Sequence, residues 1–238
     1  PHGYSLAAAD YDLDADLDIY VSVYYSKRDS ASDFPVPVPY FDATNGGRNF
    51  LFRNDGNWQF RDVTDQVGLT PTNNRFSYAA AWEDYDLDGD ADLYVANDFG
   101  RNNLYRNDRG HFVDVARQAG LEDSAFGMSV SFGDYNRDGQ PDVYVGNMFS
   151  AAGSRVTAQQ HFRSETSREI RSRYRRLAQG NTLYASNGDG TFRDVSRASG
   201  ATMGRWSWSS LFADLNNDGW EDLLVANGFV TGEDPHDL

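Results

Sequence analysis

Short apolar runs alternate along the chain with strongly acidic stretches of nine residues. Four such stretches align without gaps, at residues 10–18, 84–92, 134–142 and 214–222. Each is followed by an apolar run and preceded by a run of small and aromatic residues. A short apolar run bounded by turn residues predicts a buried strand. The pattern therefore predicts a strand on each side of every acidic stretch.

A second repeated unit follows three of the four acidic stretches, at residues 49–63, 103–115 and 181–195. It consists of two short apolar runs that flank a turn rich in Asn, Asp and Gly. Gly and Asn tolerate the positive φ that tight hairpin turns require. Each complete repeat is therefore predicted to hold four strands, with an acidic loop between the first two and a Gly-rich turn between the last two.

Four short strands per repeat predict the blades of an all-β propeller. The predicted blades span about residues 1–70, 71–121, 122–201 and 202–238, and the last one ends after two strands. The chain would then hold three and a half blades in one domain, whereas propellers close with about 4–8 blades. We expect a piece of a larger propeller. Completion of a half-ring by a partner chain is the alternative, which the exposed strand edges disfavour.

Two of the repeats carry insertions, at residues 26–48 and 149–180. The first insertion holds three prolines that alternate with other residues between Phe34 and Phe41. Alternating prolines exclude a helix and favour extended backbone. The segment is interpreted either as a rigid excursion that covers a blade edge or as an aromatic-tipped docking arm.

The second insertion predicts the one helix inserted in the chain, over residues 157–179. Ile170, Tyr174 and Leu177 recur there at helical spacing, and Gly180 follows as a stop signal. Seven arginines and two glutamates give the insertion a net charge of +5. The helix either packs on the acidic rim of the propeller or docks an anionic protein surface or lipid headgroups. The partner-binding residues of the second interpretation are Arg168, Arg171, Arg173, Arg175 and Arg176.

Nearly all of the net charge of the chain lies in the four acidic stretches. The 238 residues carry 36 acidic and 21 basic side chains, a net charge of −15. The four stretches hold 17 of the acidic side chains and one Arg, so they carry −16 and the rest of the chain +1. Such a chain lacks the basic stripe of a nucleic-acid-binding protein. The absence of Cys excludes disulfides, thiolate zinc sites and Cys nucleophiles.

The spacing of the acidic residues predicts calcium sites. Asp or Asn at positions one, three, five and nine of each loop aims side-chain oxygens at one centre, and the carbonyl of position seven can join them. Calcium accepts about 6–8 oxygen ligands in flexible geometry. Without a cation, carboxylates crowded in this way repel one another, which disfavours metal-free turns. The predicted ligands are Asp10, Asp12, Asp14, Asp16, Asp18, Asp84, Asp86, Asp88, Asp90, Asp92, Asp134, Asn136, Asp138, Gln140, Asp142, Asp214, Asn216, Asp218, Trp220 and Asp222.

The four loops are not equivalent. Position six is Gly in three of them, where a sharp turn needs it, but it is Ala15 in the first loop. Position three is Asn136 in the third loop and Asn216 in the fourth, so these two loops carry one charge less and are expected to bind calcium more weakly. Val at position twelve replaces the bidentate Glu of an EF-hand, which excludes that motif.

These loops and hairpins resemble the FG-GAP/VCBS repeats of integrin α-chain-like propellers. They resemble more closely those of the bacterial relatives of cartilage acidic protein. The resemblance covers nearly all of the chain outside the two insertions. It implies a seven-bladed propeller, up to four calcium ions, and a secreted or periplasmic location. It places the calcium ligands at Asp10, Asp12, Asp14 and Asp18 and at the equivalent positions of the other loops, and it implies binding or scaffolding instead of catalysis.

The function expected from the sequence is that of a calcium-binding extracytoplasmic scaffold for protein interactions. Its expected partners are other protein subunits or extracellular or periplasmic proteins, including a membrane-associated assembly of which it would be an accessory subunit. No apolar run reaches the length of about 20 residues of a membrane span, and Pro1 is not expected to be the start of the gene product. No nucleophile or phosphate-loop motif is present, so no enzyme is expected. The alternatives are a carbohydrate-binding adhesin and a polysaccharide lyase. The lyase interpretation is disfavoured because Lys27 is the sole Lys of the chain.

Overall fold

Three four-stranded antiparallel sheets and one two-stranded sheet follow one another along the chain. The computed structural model describes residues 2–25 and 35–228. In every four-stranded sheet the spatial order of the strands is their order in the sequence. The strands of sheet 1 are His2–Ala9, Asp18–Tyr25, Phe50–Asn54 and Phe60–Asp62, and those of sheet 2 are Phe76–Glu83, Asp92–Asp98, Asn103–Asn107 and Phe112–Asp114. The strands of sheet 3 are Gly127–Gly133, Asp142–Asn147, Thr182–Ser186 and Phe192–Asp194, and those of sheet 4 are Ser207–Ala213 and Asp222–Asn227.

The arrangement confirms the all-β class and the four-stranded repeat. The first strands of successive sheets lie side by side, as do those of neighbouring propeller blades. The sheets in the described part of the chain form no closed ring. A small additional sheet pairs Gly100–Arg101 with Ser124–Ala125 and so joins the connection between the second and third strands of sheet 2 to the connection between sheets 2 and 3.

The core lies between the sheets. The second strand of sheet 2 is buried along its whole length, because sheets pack on both of its faces. Its residues alternate between two clusters, as the period of a strand requires. Leu93 and Val95 pack with side chains of sheet 1, whereas Tyr94 and Ala96 pack with side chains of sheet 3. The apolar runs that follow the acidic stretches in sheets 2 and 3 therefore belong to strands that are covered on both sides, whereas the one in sheet 4 belongs to a strand without buried residues.

Helices occupy only connections. One-turn helices α1 (Ala116–Ala119) and α4 (Ser196–Ser199) follow the last strands of sheets 2 and 3, and a 3-10 turn spans Thr70–Thr72. The second insertion holds two helices, α2 (Ala151–Thr157) and α3 (Arg168–Arg176).

The prediction of one helix over residues 157–179 is therefore wrong. The side chain of Ser167 accepts a hydrogen bond from the backbone N–H of Ile170 at 3.2 Å, which caps the start of α3. Ser150 caps α2 in the same way, through the N–H of Gly153 at 3.0 Å. The apolar spacing that predicted the helix belongs to α3 and the residues just after it.

The antiparallel topology gives the sheets two distinct rims. The acidic loops connect first to second strands and the hairpins connect third to fourth strands, so both lie on one side, the loop rim. Connections from second to third strands lie on the other side, the insertion rim. Both insertions enter there, because they follow Tyr25 and Asn147 at the ends of second strands. The negative loops and the positive insertion therefore lie at opposite ends of the strands.

The two insertions contact each other. Arg173 of α3 forms an ion pair with Asp42 of the first insertion at 2.9 Å, and the rings of Tyr174 and Tyr40 stack with centroids 6.3 Å apart. Asp42 also pairs with Arg75 at 2.7 Å and with Arg101 at 3.1 Å. Burial would raise the pKa of Asp42, but bonds from Arg75 and Arg101 hold it below its ordinary value. The described part of the first insertion thus packs against its surroundings around Asp42 and Ala43, whereas Val36 and Val38 are exposed. Residues 26–34 lie outside the described residues, and both interpretations of the insertion stay predictions.

Candidate metal sites

The four acidic stretches, loops 1 to 4 in chain order, share one backbone conformation. Positions four and six of every loop have positive φ, which makes the chain curl around its own carboxylates. The φ values are 60° and 73° at Leu13 and Ala15, 60° and 96° at Leu87 and Gly89, 60° and 81° at Arg137 and Gly139, and 59° and 84° at Asn217 and Gly219. Ala15 thus adopts the conformation that Gly adopts in the other loops. For a residue with a side chain, that conformation costs about 1 kcal/mol.

The carboxylate at position one stabilises the curled backbone in all four loops. In loop 2, the two carboxylate oxygens of Asp84 accept hydrogen bonds from the N–H groups of Asp88 at 3.0 Å and Gly89 at 2.9 Å. Asp10, Asp134 and Asp214 accept the equivalent pair of bonds in their own loops. The position-five residue then accepts a bond from the N–H of position seven through one oxygen, as Asp88 does from Asp90.

Position nine ties loops 1, 2 and 3 to the hairpins of their own sheets. The buried Asp92 accepts a bond from the N–H of Asn107 in the hairpin at 2.7 Å and another from Tyr85 at 3.2 Å. Asp18 and Asp142 are equally buried and make the same two kinds of bond. Burial raises the pKa of Asp92 to about 8 and that of Asp18 and Asp142 to about 6, against the lowering effect of these bonds. In loop 4, Asp222 accepts only the local bond from Leu215 among the described residues.

Loops 1 and 2 bring carboxylates together closely enough to share a cation. One oxygen from each of Asp10, Asp12 and Asp18 lies within 4.8 Å of the others, and loop 2 does the same with Asp84, Asp86 and Asp88. An Oδ1 atom at position three, in Asp12 and in Asp86, is buried and has no hydrogen-bond partner.

Such an atom is costly unless something positive approaches it. Burial and the neighbouring position-five carboxylate raise the pKa of both Asp12 and Asp86, which reflects the same unbalanced charge. The donor set consists of oxygen atoms only, as calcium prefers. The residues of loops 1 and 2 therefore fit a calcium ion.

Loops 3 and 4 satisfy position three internally. The Asn136 side chain donates from Nδ2 to Oδ2 of Asp138 at 2.9 Å, and its Oδ1 accepts from the Asp138 N–H at 2.9 Å. Asn216 makes the same two bonds with Asp218. No group of three converging carboxylates forms in these two loops within the described residues. Loops 3 and 4 thus differ from loops 1 and 2 in the hydrogen bonds at position three, and the weaker calcium binding expected of loops 3 and 4 stays a prediction.

Position seven was predicted to contribute its backbone carbonyl, and its side chains engage other partners in two loops. The carboxylate of Asp90 accepts a bond from the N–H of Arg109 at 2.9 Å, which links loop 2 to its hairpin. The ring of Trp220 lies under the guanidinium of Arg137, 5.0 Å from the centroid, which links loops 4 and 3. The carbonyl ligands at Asp16, Asp90, Gln140 and Trp220 remain a prediction.

The arginines of α3 divide into two groups. Arg176 forms two bonds to the buried Asp123, at 2.8 and 2.7 Å, and Arg173 pairs with Asp42 and Glu169. Internal carboxylates thus already pair with Arg173 and Arg176, and the partner-binding role of these two residues stays a prediction. Asp42 and Asp123 lie far away in sequence and belong to no repeated motif, so no local signal marked them as partners. Arg168, Arg171 and Arg175 remain on the outside of the helix.

The model of the FG-GAP-like repeat family matches two stretches of the chain, residues 84–145 and 173–225. These two stretches of the chain are FG-GAP-like repeats. They contain loops 2, 3 and 4, together with parts of sheets 2, 3 and 4. No helix in the part of the chain that the structure describes has the length and apolar character needed to cross a membrane.

No curated protein sequence matches the chain. A solved structure of a lectin from Agrocybe aegerita, described as recognising non-reducing terminal N-acetylglucosamine, aligns over 92% of this chain with 19% sequence identity and a TM-score of 0.41. The chain spans 45% of the length of that lectin chain.

Proposed function

We propose that this chain is a calcium-stabilised part of a β-propeller that serves as a binding scaffold outside the cytoplasm. The observation that carries the proposal is the pair of buried, unpartnered carboxylate oxygens in Asp12 and Asp86, each surrounded by further carboxylates of its loop. A calcium ion in each of these loops would pair with those oxygens. Positions one and three would hold the ion in both loops, joined by position nine (Asp18) in loop 1 and by position five (Asp88) in loop 2.

Calcium also accounts for the charge of the chain. The loops carry −16 in a protein whose remainder is nearly neutral, and four calcium ions would reduce the net charge from −15 to −7. Mutual repulsion among the carboxylates would fall with it. The ions would then act as structural parts of the loop rim. Extracellular calcium modules need only weak sites, with dissociation constants of about 10⁻⁴–10⁻³ M.

The remaining parts of the proposal follow from the FG-GAP-like repeats. We infer that the sheets belong to a seven-bladed propeller, that the protein is secreted or periplasmic, and that it binds other proteins and does not catalyse a reaction. The contacts between the first strands of successive sheets support the propeller. The loops use their carboxylates for turns and cations, which leaves them no role as acid–base pairs.

The test is thermal unfolding of the protein with calcium, with magnesium and with a chelator. Two sites saturated at about a hundred times their dissociation constant contribute about 5 kcal/mol, because each contributes about 2.7 kcal/mol. We expect the chelator to lower Tm by at least about 5 °C and magnesium to restore little of the loss. An unchanged Tm after complete removal of calcium would contradict the proposal.

A further inference from the structure

Helix α3 has an inner face that is fully used within the molecule. Ile170, Arg173, Tyr174 and Leu177 recur at i, i+3, i+4 and i+7, so they share one side of the helix. Tyr174 packs against aromatic rings of the first insertion, Leu177 is buried, and Arg173 pairs with Asp42. The apolar side of the helix is therefore already covered by this chain.

The opposite side of α3 consists of arginines. Arg168, Arg171 and Arg175 recur at i, i+3 and i+7, which places them within about 60° of one another around the helix axis. Arg155 lies in the last turn of α2, and Arg175 reaches the same place by donating to the carbonyl oxygen of Thr157 at 3.1 Å. These four residues form the arginine face. No carboxylate in the described parts of the chain lies within ion-pair distance of any of them.

The arginine face lies apart from the acidic loops of the molecule. Of the other three arginines of the insertion, Arg173 and Arg176 are balanced by Asp42, Glu169 and Asp123, and Arg163 lies over the ring of Tyr174. The four outer arginines are not balanced, and they lie on the insertion rim, at the opposite end of the strands from the loops that carry −16. A concentrated field of one sign attracts a partner of the other sign and orients it during approach.

We propose that the arginine face docks an acidic polypeptide segment, rich in Asp and Glu. The guanidinium group is planar and forms paired hydrogen bonds with carboxylates, which favours Arg over Lys where geometry matters. Spacing along one helix face suits an extended or helical segment with several carboxylates. The inference rests on the binding role proposed above and gives that role a surface and a class of partner.

The structure disfavours two other anionic partners. A helix that lies on a membrane directs an apolar face into the lipid, but the apolar face of α3 packs on the first insertion, and Val156 is the one exposed large apolar residue in the insertion. Nucleic acid would require a basic stripe long enough to follow several phosphates. The arginine face spans two short helices of a chain that is acidic elsewhere.

The test measures binding of a fluorescein-labelled glutamate decapeptide by fluorescence anisotropy, in buffer with calcium. The triple variant R168Q/R171Q/R175Q removes three charges of the arginine face. The control variant R61Q/R106Q/R193Q removes three charges from the hairpin strands of the sheets, so that net charge changes equally. We expect the first variant to weaken binding at least tenfold and the control to leave it unchanged. Binding of the wild type should fall steeply between about 50 and 200 mM salt.

Three outcomes would overturn the proposal. They are the absence of peptide binding by the wild type, equal binding by the two variants, and tighter binding of phosphatidylserine vesicles or single-stranded DNA through the same arginines. Calcium-dependent unfolding of each variant separates this result from the calcium proposal. A variant that keeps its calcium-dependent Tm is folded at the loop rim, so its loss of peptide binding concerns the arginine face alone. Loss of the calcium effect with intact peptide binding would reject only the calcium sites.

Discussion

Loops 1 and 2 have the same backbone conformation as loops 3 and 4. The two pairs of loops differ in whether the side chain at position three has hydrogen-bond partners. All four have the same two positive-φ positions and the same bonds from position one to the backbone. At position three, Asn136 and Asn216 donate to the neighbouring carboxylate, whereas Asp12 and Asp86 cannot donate and keep a buried oxygen without a partner. A turn with Asn at position three thus forms its hydrogen bonds internally, whereas a turn with Asp there needs a cation.

The shape of the loops and their need for a metal ion come from different residues. Shape comes from backbone hydrogen bonds to positions one and nine, and these bonds need no ion. Demand for a metal comes from position three and its neighbours. Substitutions at these positions should therefore affect stability and calcium affinity separately, and the largest effects should come from position nine.

The first prediction contrasts position nine in loops 2 and 4. Asp92→Ala leaves the buried N–H groups of Tyr85 and Asn107 without an acceptor, so we expect a loss of about 3 kcal/mol in the free energy of unfolding. Asp222→Ala removes one exposed bond and should cost at most about 1 kcal/mol. Urea unfolding in the presence of a chelator measures both without a contribution from calcium. Equal costs would show that the bond to the hairpin contributes nothing.

The second prediction exchanges position three between the two classes of loop. Asp86→Asn should weaken calcium binding at loop 2 about tenfold, because ligand charge tunes the affinity of such loops. Asn136→Asp should strengthen loop 3 by a similar factor, because it adds a carboxylate and removes the bond from Nδ2 to Asp138. Calorimetric titration with calcium measures both. Two changes in the same direction would contradict the assignment of position three as the difference between the loops.

The third prediction exchanges position six between loops 1 and 2. Ala15→Gly relieves a side chain at φ 73° and should raise the free energy of unfolding by about 0.5–1 kcal/mol. Gly89→Ala should lower it by a similar amount, and a Cβ at that position would contact no other atom within 4 Å, so only backbone strain contributes. Opposite shifts in urea midpoint, with unchanged slopes, are the expected result. If both changes are destabilising, the turn at Ala15 gains from its methyl group by some other contact.

Repetition is what made much of this molecule predictable. Strands, acidic loops and hairpins recur, so each weak local signal was supported by its copies, and the difference between Asp86 and Asn136 could be read at aligned positions. The insertions occur once each and had no such support. Ser167 caps the start of α3, so that a new helix begins within the predicted one. Asp42 and Asp123 form ion pairs with arginines that are distant in the sequence.

Because the two rims lie at opposite ends of the strands, the connections at the insertion rim can change in length without affecting the acidic loops. Every acidic loop is held to nine residues by the bonds that cross it, whereas the connection between second and third strands ranges from the short segment after Asp98 to the long one after Asn147. Surface connections tolerate added length at small entropic cost. A lineage built on this plan can lengthen the insertion rim and acquire new partners there while its folding chemistry stays the same. The same connection in sheet 2, still short, is a natural position at which to graft a foreign binding segment.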